Sequence, residues 1–162
     1  MSAQTRYGYS TPMGAAGGIV DLAPYVIDTR LNEEEAGVIK FGLGVVCGEK
    51  AGTTIKKPTQ DSDVFEGVTV NNRTTEYDLE GKIHVRKGAA IGVMRYGRVY
   101  GLLAKDVKPK YGDSVYVVAT GEEAGYFTTE KSGNIAVKGR FLSETDKNAN
   151  VAMIELFNQA TI

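Results

Sequence analysis

From residue 38 onward, apolar and polar residues alternate in short runs, and glycine, aspartate, asparagine or proline separates each run from the next. Alternation with a period of two places successive side chains on opposite faces of a β-strand. Turn residues at intervals of about ten positions fix where the strands end. The pattern predicts strands at 38–46, 64–70, 83–86, 90–95, 98–103, 114–119, 125–129, 135–137 and 151–157.

The first run shows the alternation most clearly, because Ile39, Phe41, Leu43 and Val45 share one face of a strand. Apolar strand faces of this kind pack inward. The same reasoning applied to every run predicts a core of Phe41, Leu43, Val45, Val68, Val70, Ile91, Val93, Val99, Val115, Val117, Phe127, Ile135, Met153 and Ile154.

Tight turns are expected to connect these strands. Tyr96 and Gly97 stand between the runs 90–95 and 98–103, and glycine accepts the positive φ of a hairpin turn, so we predict a hairpin there. The helical period of 3.6 is missing, and only a turn at 32–36 is a helix candidate. The predicted fold class is therefore all-β: a small β-barrel or jelly-roll-like domain with an extended N-terminal arm.

Residues 1–37 differ from the rest, since they show no sustained periodicity and are rich in small residues. We interpret them as an extended N-terminal arm and residues 38–162 as the β-barrel domain. An apolar patch in the arm is too hydrophobic to stay in water, and we expect it to contact a partner; its residues are Ile19, Val20, Leu22, Tyr25, Val26 and Ile27. The alternative, that this patch is the first strand of the barrel itself followed by a loop, stays open.

Composition limits the partners. The 162 residues carry 19 basic and 20 acidic side chains, a net charge of -1, and no basic stripe. A nucleic-acid surface normally needs such a stripe, so no nucleic acid is expected as a partner. No run approaches the roughly 18 apolar residues of a membrane span, and the N-terminus lacks the pattern of a secretion signal. We expect a soluble protein, made in a cytoplasm, with no membrane partner.

Candidate catalytic and metal-binding residues are few. His84 is the single histidine and lies in a strand pattern, while Cys47 is the single cysteine and has the flanks of a buried apolar residue. These two side chains cannot supply a common zinc site. Residues 42–48 resemble a dinucleotide-binding glycine motif, but no helix is predicted after them. We therefore predict no catalytic, cofactor-binding or metal-binding residues, and no enzyme activity.

The order of segments along the chain resembles the capsid decoration, or structural cement, proteins of tailed bacteriophages. The resemblance runs from about residue 14 to 157 and rests on an arm containing GIVD, followed by FGLGVVCG, KKPTQDSDVFEGVTV, VMRYGRVYG, VKPKYGDSVYVV, GYFT and VAMIELF.

This resemblance implies a β-barrel on the outer surface of the virion, bound to the assembled capsid and stabilising contacts between major capsid protein subunits. It also implies a symmetric homo-oligomer, with a homotrimer favoured and a homodimer possible, whose arm, residues 8–28, lies across a neighbouring subunit. A carbohydrate- or receptor-binding module of a virion stays open as the alternative, because aromatic side chains on an exposed face stack on sugar rings. The chain has nine tyrosines but no tryptophan, the most effective of those platforms.

Overall fold

The computed structural model describes residues 14–71, 76–77, 83–146 and 150–158, with the backbone alone at 76–77 and 83–84. Within these ranges there is no helix, and about 43% of the residues are in strands. The all-β prediction is confirmed. The strands are β1 (Val26–Asn32), β2 (Gly44–Cys47), β3 (Thr54–Lys56), β4 (Phe65–Thr69), β5 (Glu76–Tyr77), β6 (Ile83–His84), β7 (Ala90–Leu102), β8 (Ser114–Val118), β9 (Phe127–Thr128), β10 (Asn134–Phe141) and β11 (Val151–Leu156).

Five of the strands close into a barrel. Their order around the barrel is β1, β3, β2, β4 and β7, and β7 pairs with β1 to complete the circle. The β1–β3 pair is parallel and the other pairs are antiparallel. Closure leaves no open sheet edge within this barrel, which removes the usual route to edge-to-edge aggregation.

The same long strand also begins a second sheet, in the order β7, β11, β10, β8 and β9. A bridge between Leu103 and Phe127 brings β9 back beside the end of β7. The backbone N–H of Ala104 donates to the carbonyl oxygen of Phe127 at 2.9 Å and reinforces that return. Strand β7 is therefore common to both halves of the molecule.

The predicted hairpin at Tyr96 and Gly97 is wrong, because both residues lie inside the continuous strand β7. Gly97 has a φ of 121°. A Cβ atom at this position would lie 2.6 Å from the Cβ of Tyr25. The glycine therefore allows a strained backbone and a close approach of the N-terminal chain, rather than a reversal of direction.

The predicted strand 38–46 begins only at Gly44. Gly42 takes a left-handed φ of 74°, and the N–H of Leu43 donates to the side-chain oxygen of Thr69 at 3.0 Å instead of to a neighbouring strand. Hydrogen bonding to a side chain thus replaces the expected ladder. The predicted apolar face survives this change, since all four of its side chains pack in the same cluster.

The other predicted strands exist and overlap β4, β6, β8, β9, β10 and β11. Strand β10 is longer than the run 135–137 that predicted it, while β3 and β5 were not predicted. Both missed strands are short, three residues and two residues, and carry too little alternation to be recognised.

Buried apolar side chains form two clusters. The larger one joins side chains of the second sheet to side chains of the barrel strands β2, β4 and β7; it comprises Val46, Val68, Val70, Met94, Val99, Leu103, Val115, Val117, Ala119, Phe127, Ile135, Val137, Phe141, Ala152, Ile154 and Leu156. The smaller one comprises Ile39, Leu43, Val45, Ile55, Val85, Ile91 and Val93. The predicted core is confirmed except at Phe41 and Met153, which are partly exposed.

The N-terminal segment lies on the chain's own barrel. Val26–Asn32 form β1. For these residues the alternative interpretation, a first strand of the barrel, is therefore the correct one. Upstream of β1, the N–H of Gly17 donates to the carbonyl of Tyr100 at 2.8 Å, and the N–H of Val20 donates to the carbonyl of Arg98 at 3.1 Å. The N-terminal chain thus follows one edge of β7 in two separate stretches. The division of the chain at residue 37 stays a prediction.

A part-buried ionic cluster ties three barrel strands together. Arg30 on β1 lies 2.7 Å from Glu66 on β4 and 3.2 Å from Asp28, and Asp28 lies 2.7 Å from Arg95 on β7. Arg30 and Glu66 are only 12% and 15% exposed. Charges withdrawn from water to this extent need partners, and the cluster supplies them while fixing β1 against β4 and β7.

We expect Gly97→Ala to destabilise the protein by about 2 kcal/mol or more. The added methyl group would clash with Tyr25, and alanine would also be strained by the positive φ. Gly88→Ala is the matched control: its φ is also positive, at 78°, but a Cβ there meets no atom within 4 Å. Urea denaturation should give a clearly smaller loss for the control, about 1 kcal/mol. Equal losses for the two variants would contradict the packing role of Gly97.

Candidate functional site

The most exposed apolar side chain of the described structure stands on a loop between the two stretches that follow β7. Residues 21–25, here called the protrusion, leave the strand edge after Val20 and rejoin it where Val26 pairs with Tyr96. Leu22 is 100% exposed and Tyr25 is 46% exposed. A large aliphatic side chain that is fully exposed to solvent marks a candidate contact site.

Asp21 holds the protrusion in shape. Its Oδ1 accepts the backbone N–H of Ala23 at 3.0 Å, which forms a local turn closed by the side chain. Its Oδ2 accepts from Nη1 of Arg98 at 2.7 Å. Pro24 further limits the backbone, since its ring fixes φ. The loop is therefore restrained although its tip is in solvent.

Further exposed apolar residues lie beside the protrusion. Val26 is directly opposite Tyr96 in the ladder between β1 and β7, and both are more than 40% exposed. Phe157, just after β11, is 44% exposed and lines a groove of about 180 Å³ together with Pro24 and Tyr96. We call these side chains the apolar surface; its residues are Leu22, Tyr25, Val26, Tyr96 and Phe157.

A chain of ion pairs borders the apolar surface. Arg98 contacts Asp21 at 2.7 Å and Glu155 at 3.2 Å, and Glu155 also accepts from Arg140 at 2.7 Å. The guanidinium of Arg140 lies 5.4 Å from the ring centre of Tyr111. Each of these charges has a partner of opposite sign, so a protein covering the surface would not have to strip water from an unpaired charge.

The ion pairs also shift the acidity of both carboxyl groups. The hydrogen bond from Arg140, with a further one from Arg98, lowers the pKa of Glu155 despite its partial burial. The hydrogen bond from Arg98 likewise lowers the pKa of Asp21, helped by the N–H of Ala23. Both groups are thus ionised at neutral pH, and both ion pairs favour the ionised form of the carboxyl group.

The six arm residues singled out in the sequence have different positions. Ile19, Leu22, Tyr25 and Val26 are exposed, while Val20 is partly buried. Ile27 packs against the larger core cluster. Sequence reasoning missed Tyr96 and Phe157 as members of the surface, because one was assigned to a turn and the other to the end of a core strand. Tyr96 lies in the apolar surface because it pairs with Val26 in the ladder between β1 and β7.

The residues considered for chemistry give no constellation in the described part of the chain. The prediction that Cys47 is buried is wrong: its thiol is free and the residue is partly exposed, at the end of β2 where the chain enters the loop to β3. The side chain of His84 lies outside the described residues. Among those residues no group of three or more histidine, cysteine or acidic side chains could hold a metal ion.

The described part of the chain also holds no helix with the length and hydropathy needed to span a membrane.

A closed barrel that displays apolar and aromatic side chains beside already paired charges has the features of an all-β protein made for contact with other proteins. The family model described as structural cement protein (E217 gp24/Pam3 gp6) matches residues 3–157. The chain belongs to this family, and it is a capsid-stabilising structural protein of a phage virion. The resemblance to structural cement proteins is confirmed.

A solved structure agrees in fold. A chain in the capsid of Myoviridae phage XM1 superimposes with a TM-score of 0.69 at 18% sequence identity, covering 96% of this chain and 97% of that chain. At this identity the likeness shows the fold alone. No curated protein matches the sequence.

Acid should weaken the ionic network in a predictable direction. Because the folded pKa of Glu155 is below its unfolded value of about 4.3, its stabilising contribution is fully present above that value and is lost as the pH falls through the folded pKa. We expect Glu155→Gln to lower the free energy of unfolding at pH 7 and to reduce its decline between about pH 5 and pH 3. Denaturant titrations across this range measure both effects.

Glu144→Gln is the control, since it removes an exposed carboxylate outside the network. Its pH profile should follow that of the unaltered protein. If Glu155→Gln retained the full acid-dependent loss, the network would not be the source of that stability.

Proposed function

We propose that this protein binds the outer surface of the assembled capsid through its apolar surface and there stabilises contacts between major capsid protein subunits. Family membership supports the role in the capsid. The observation that supports the site is Leu22, fully exposed at the tip of a restrained loop and flanked by Tyr25. Large aromatic and aliphatic side chains in such positions carry most of the affinity in many protein interfaces.

The energetics favour this surface over a loose arm. Burial of apolar area contributes about 25 cal/mol per Å², while ordering a free chain costs about 1–2 kcal/mol per residue. Hydrogen bonds to β7 already hold the stretch before the protrusion and the strand after it. Most of the ordering cost is therefore met when the protein folds, and more of the apolar burial remains for binding.

This role requires neither catalysis nor a cofactor. The proposed partners are the major capsid protein and further copies of this chain, without nucleic acid or membrane. The protein would be made in the host cytoplasm and added to the outer surface of the capsid. Because the apolar surface includes β1, whose first residues would be lost in a deletion of residues 1–28, single substitutions test the proposal better than truncation does.

Self-association would strengthen weak individual contacts. An oligomer that touches several capsid subunits gains avidity, since the second and third contacts form at high effective concentration. We favour a homotrimer and retain a homodimer. Light scattering on the purified protein should give three or two times the chain mass of 17.4 kDa. A monomer at micromolar concentration would contradict this part of the proposal.

Leu22→Ser should weaken attachment to capsids by about tenfold or more, as expected for a central apolar contact, without changing thermal stability. Val64→Ser is the matched control, because Val64 is also an exposed aliphatic residue, at 66%, but lies next to β4 and outside the apolar surface. Co-sedimentation of each variant with capsids that lack the cement protein measures the apparent affinity.

Equal binding by the Leu22 variant and the unaltered protein would contradict the proposed site. Normal capsid binding together with specific retention on an immobilised glycan would favour the carbohydrate-binding alternative instead. A loss for Val64→Ser as large as that for Leu22→Ser would mean that the binding surface extends beyond the residues proposed.

A further inference from the structure

We infer that Asp21 and Arg98 are positioning residues for capsid attachment, because they hold the protrusion in the shape that presents Leu22. This inference rests on the proposed function. Neither residue needs to touch the capsid to play this part.

The two oxygens of Asp21 make different contacts. Oδ1 accepts the N–H of Ala23 at 3.0 Å and closes a turn around Leu22. Oδ2 accepts from Arg98 at 2.7 Å and ties that turn to β7. One carboxylate thus fixes both the local shape of the loop and its attachment to the barrel. Contacts with a charged partner are stronger than those between neutral groups.

Arg98 is itself held in place. Its Nε donates to Oε1 of Glu155 at 3.2 Å, and Glu155 lies directly opposite it in the ladder between β7 and β11. The second oxygen of Glu155 accepts from Arg140 on β10 at 2.7 Å. The attachment of the protrusion therefore continues across three neighbouring strands and does not depend on one flexible side chain.

The backbone on either side explains why this attachment matters. Pairing with β7 stops at Val20, which donates to Arg98, and resumes at Val26, which pairs with Tyr96. Leu22 lies between these points, in the part of the segment that does not pair with β7. Without Asp21 the loop would sample more conformations, and binding would have to order it again. The loss would appear mainly as weaker attachment, with only a small change in the stability of the barrel.

Two substitutions at Asp21 separate its contacts. Asp21→Ala removes both, whereas Asp21→Asn keeps an oxygen for the N–H of Ala23 and removes the charge that faces Arg98. We expect capsid affinity to fall about five- to tenfold for alanine and by a smaller factor for asparagine, with only a small fall in melting temperature, as for an exposed ion pair. Glu35→Gln is the control, since it makes the same carboxyl-to-amide change in the exposed ion pair with Lys87, 2.9 Å long and outside the protrusion.

Hydrogen exchange at the amide of Ala23 gives a readout that does not involve the capsid. Exchange should be faster in Asp21→Ala and nearly unchanged in Asp21→Asn, because only alanine removes the acceptor. If the amide exchanged at the same rate in both variants and in the unaltered protein, the carboxylate would not shape the loop and the inference would be overturned.

A double-substitution cycle distinguishes positioning from direct contact. If Asp21 acts through Leu22, Asp21→Ala should cause no further loss of affinity in the Leu22→Ser background. Fully additive losses would show that Asp21 contacts the capsid itself and would overturn the inference. Normal binding by Asp21→Ala alongside impaired binding by Leu22→Ser would also overturn it while leaving the proposed function intact. Normal binding by Leu22→Ser would overturn the proposed binding site itself.

Discussion

Hydrogen bonding along both edges of β7 is the constraint on which the rest of the structure depends. On one edge the strand pairs with β4 and then with β11; on the other it pairs with β1 and then with the N-terminal stretch that ends at Val20. A strand satisfied on both edges cannot slide without breaking every ladder together. The closed barrel and the second sheet are therefore fixed relative to one another, and so is the segment that carries the protrusion.

This arrangement makes the N-terminal segment part of the fold and of the candidate binding site at once. The chain leaves the edge of β7 between Arg98 and Tyr96. Tyr25 can approach Gly97 closely there because β7 lacks a Cβ at that position. The excursion places Leu22 in solvent. Exposure of this leucine thus follows from how the strand edge is covered, and the ionic contacts of Asp21 with Arg98 convert the excursion into a defined shape.

The sequence predicted the fold class, most strands and nearly all of the core, because period-two alternation reflects burial on one face of a strand. It did not predict partners distant in sequence. The pair Tyr96 and Gly97 has the local signature of a hairpin turn, and only the strands on both sides of β7 keep it extended. Three of the five residues of the apolar surface were predictable from the apolar patch of the arm. The other two, Tyr96 and Phe157, join it through the pairing of β1 with β7 and the position where β11 ends, which no local pattern encodes.

The charges beside the apolar surface are paired within the chain, and this affects what a partner must supply. Arg98 and Arg140 are 38% and 40% exposed, so charged groups remain in contact with water beside the apolar residues while the protein is free. Since each charge is already compensated within the chain, covering the region leaves no uncompensated charge and demands no complementary charge from the partner. Affinity can then come from apolar contact at a few side chains. In the oligomer proposed above, several modest contacts would act together, so that no single copy would have to bind tightly.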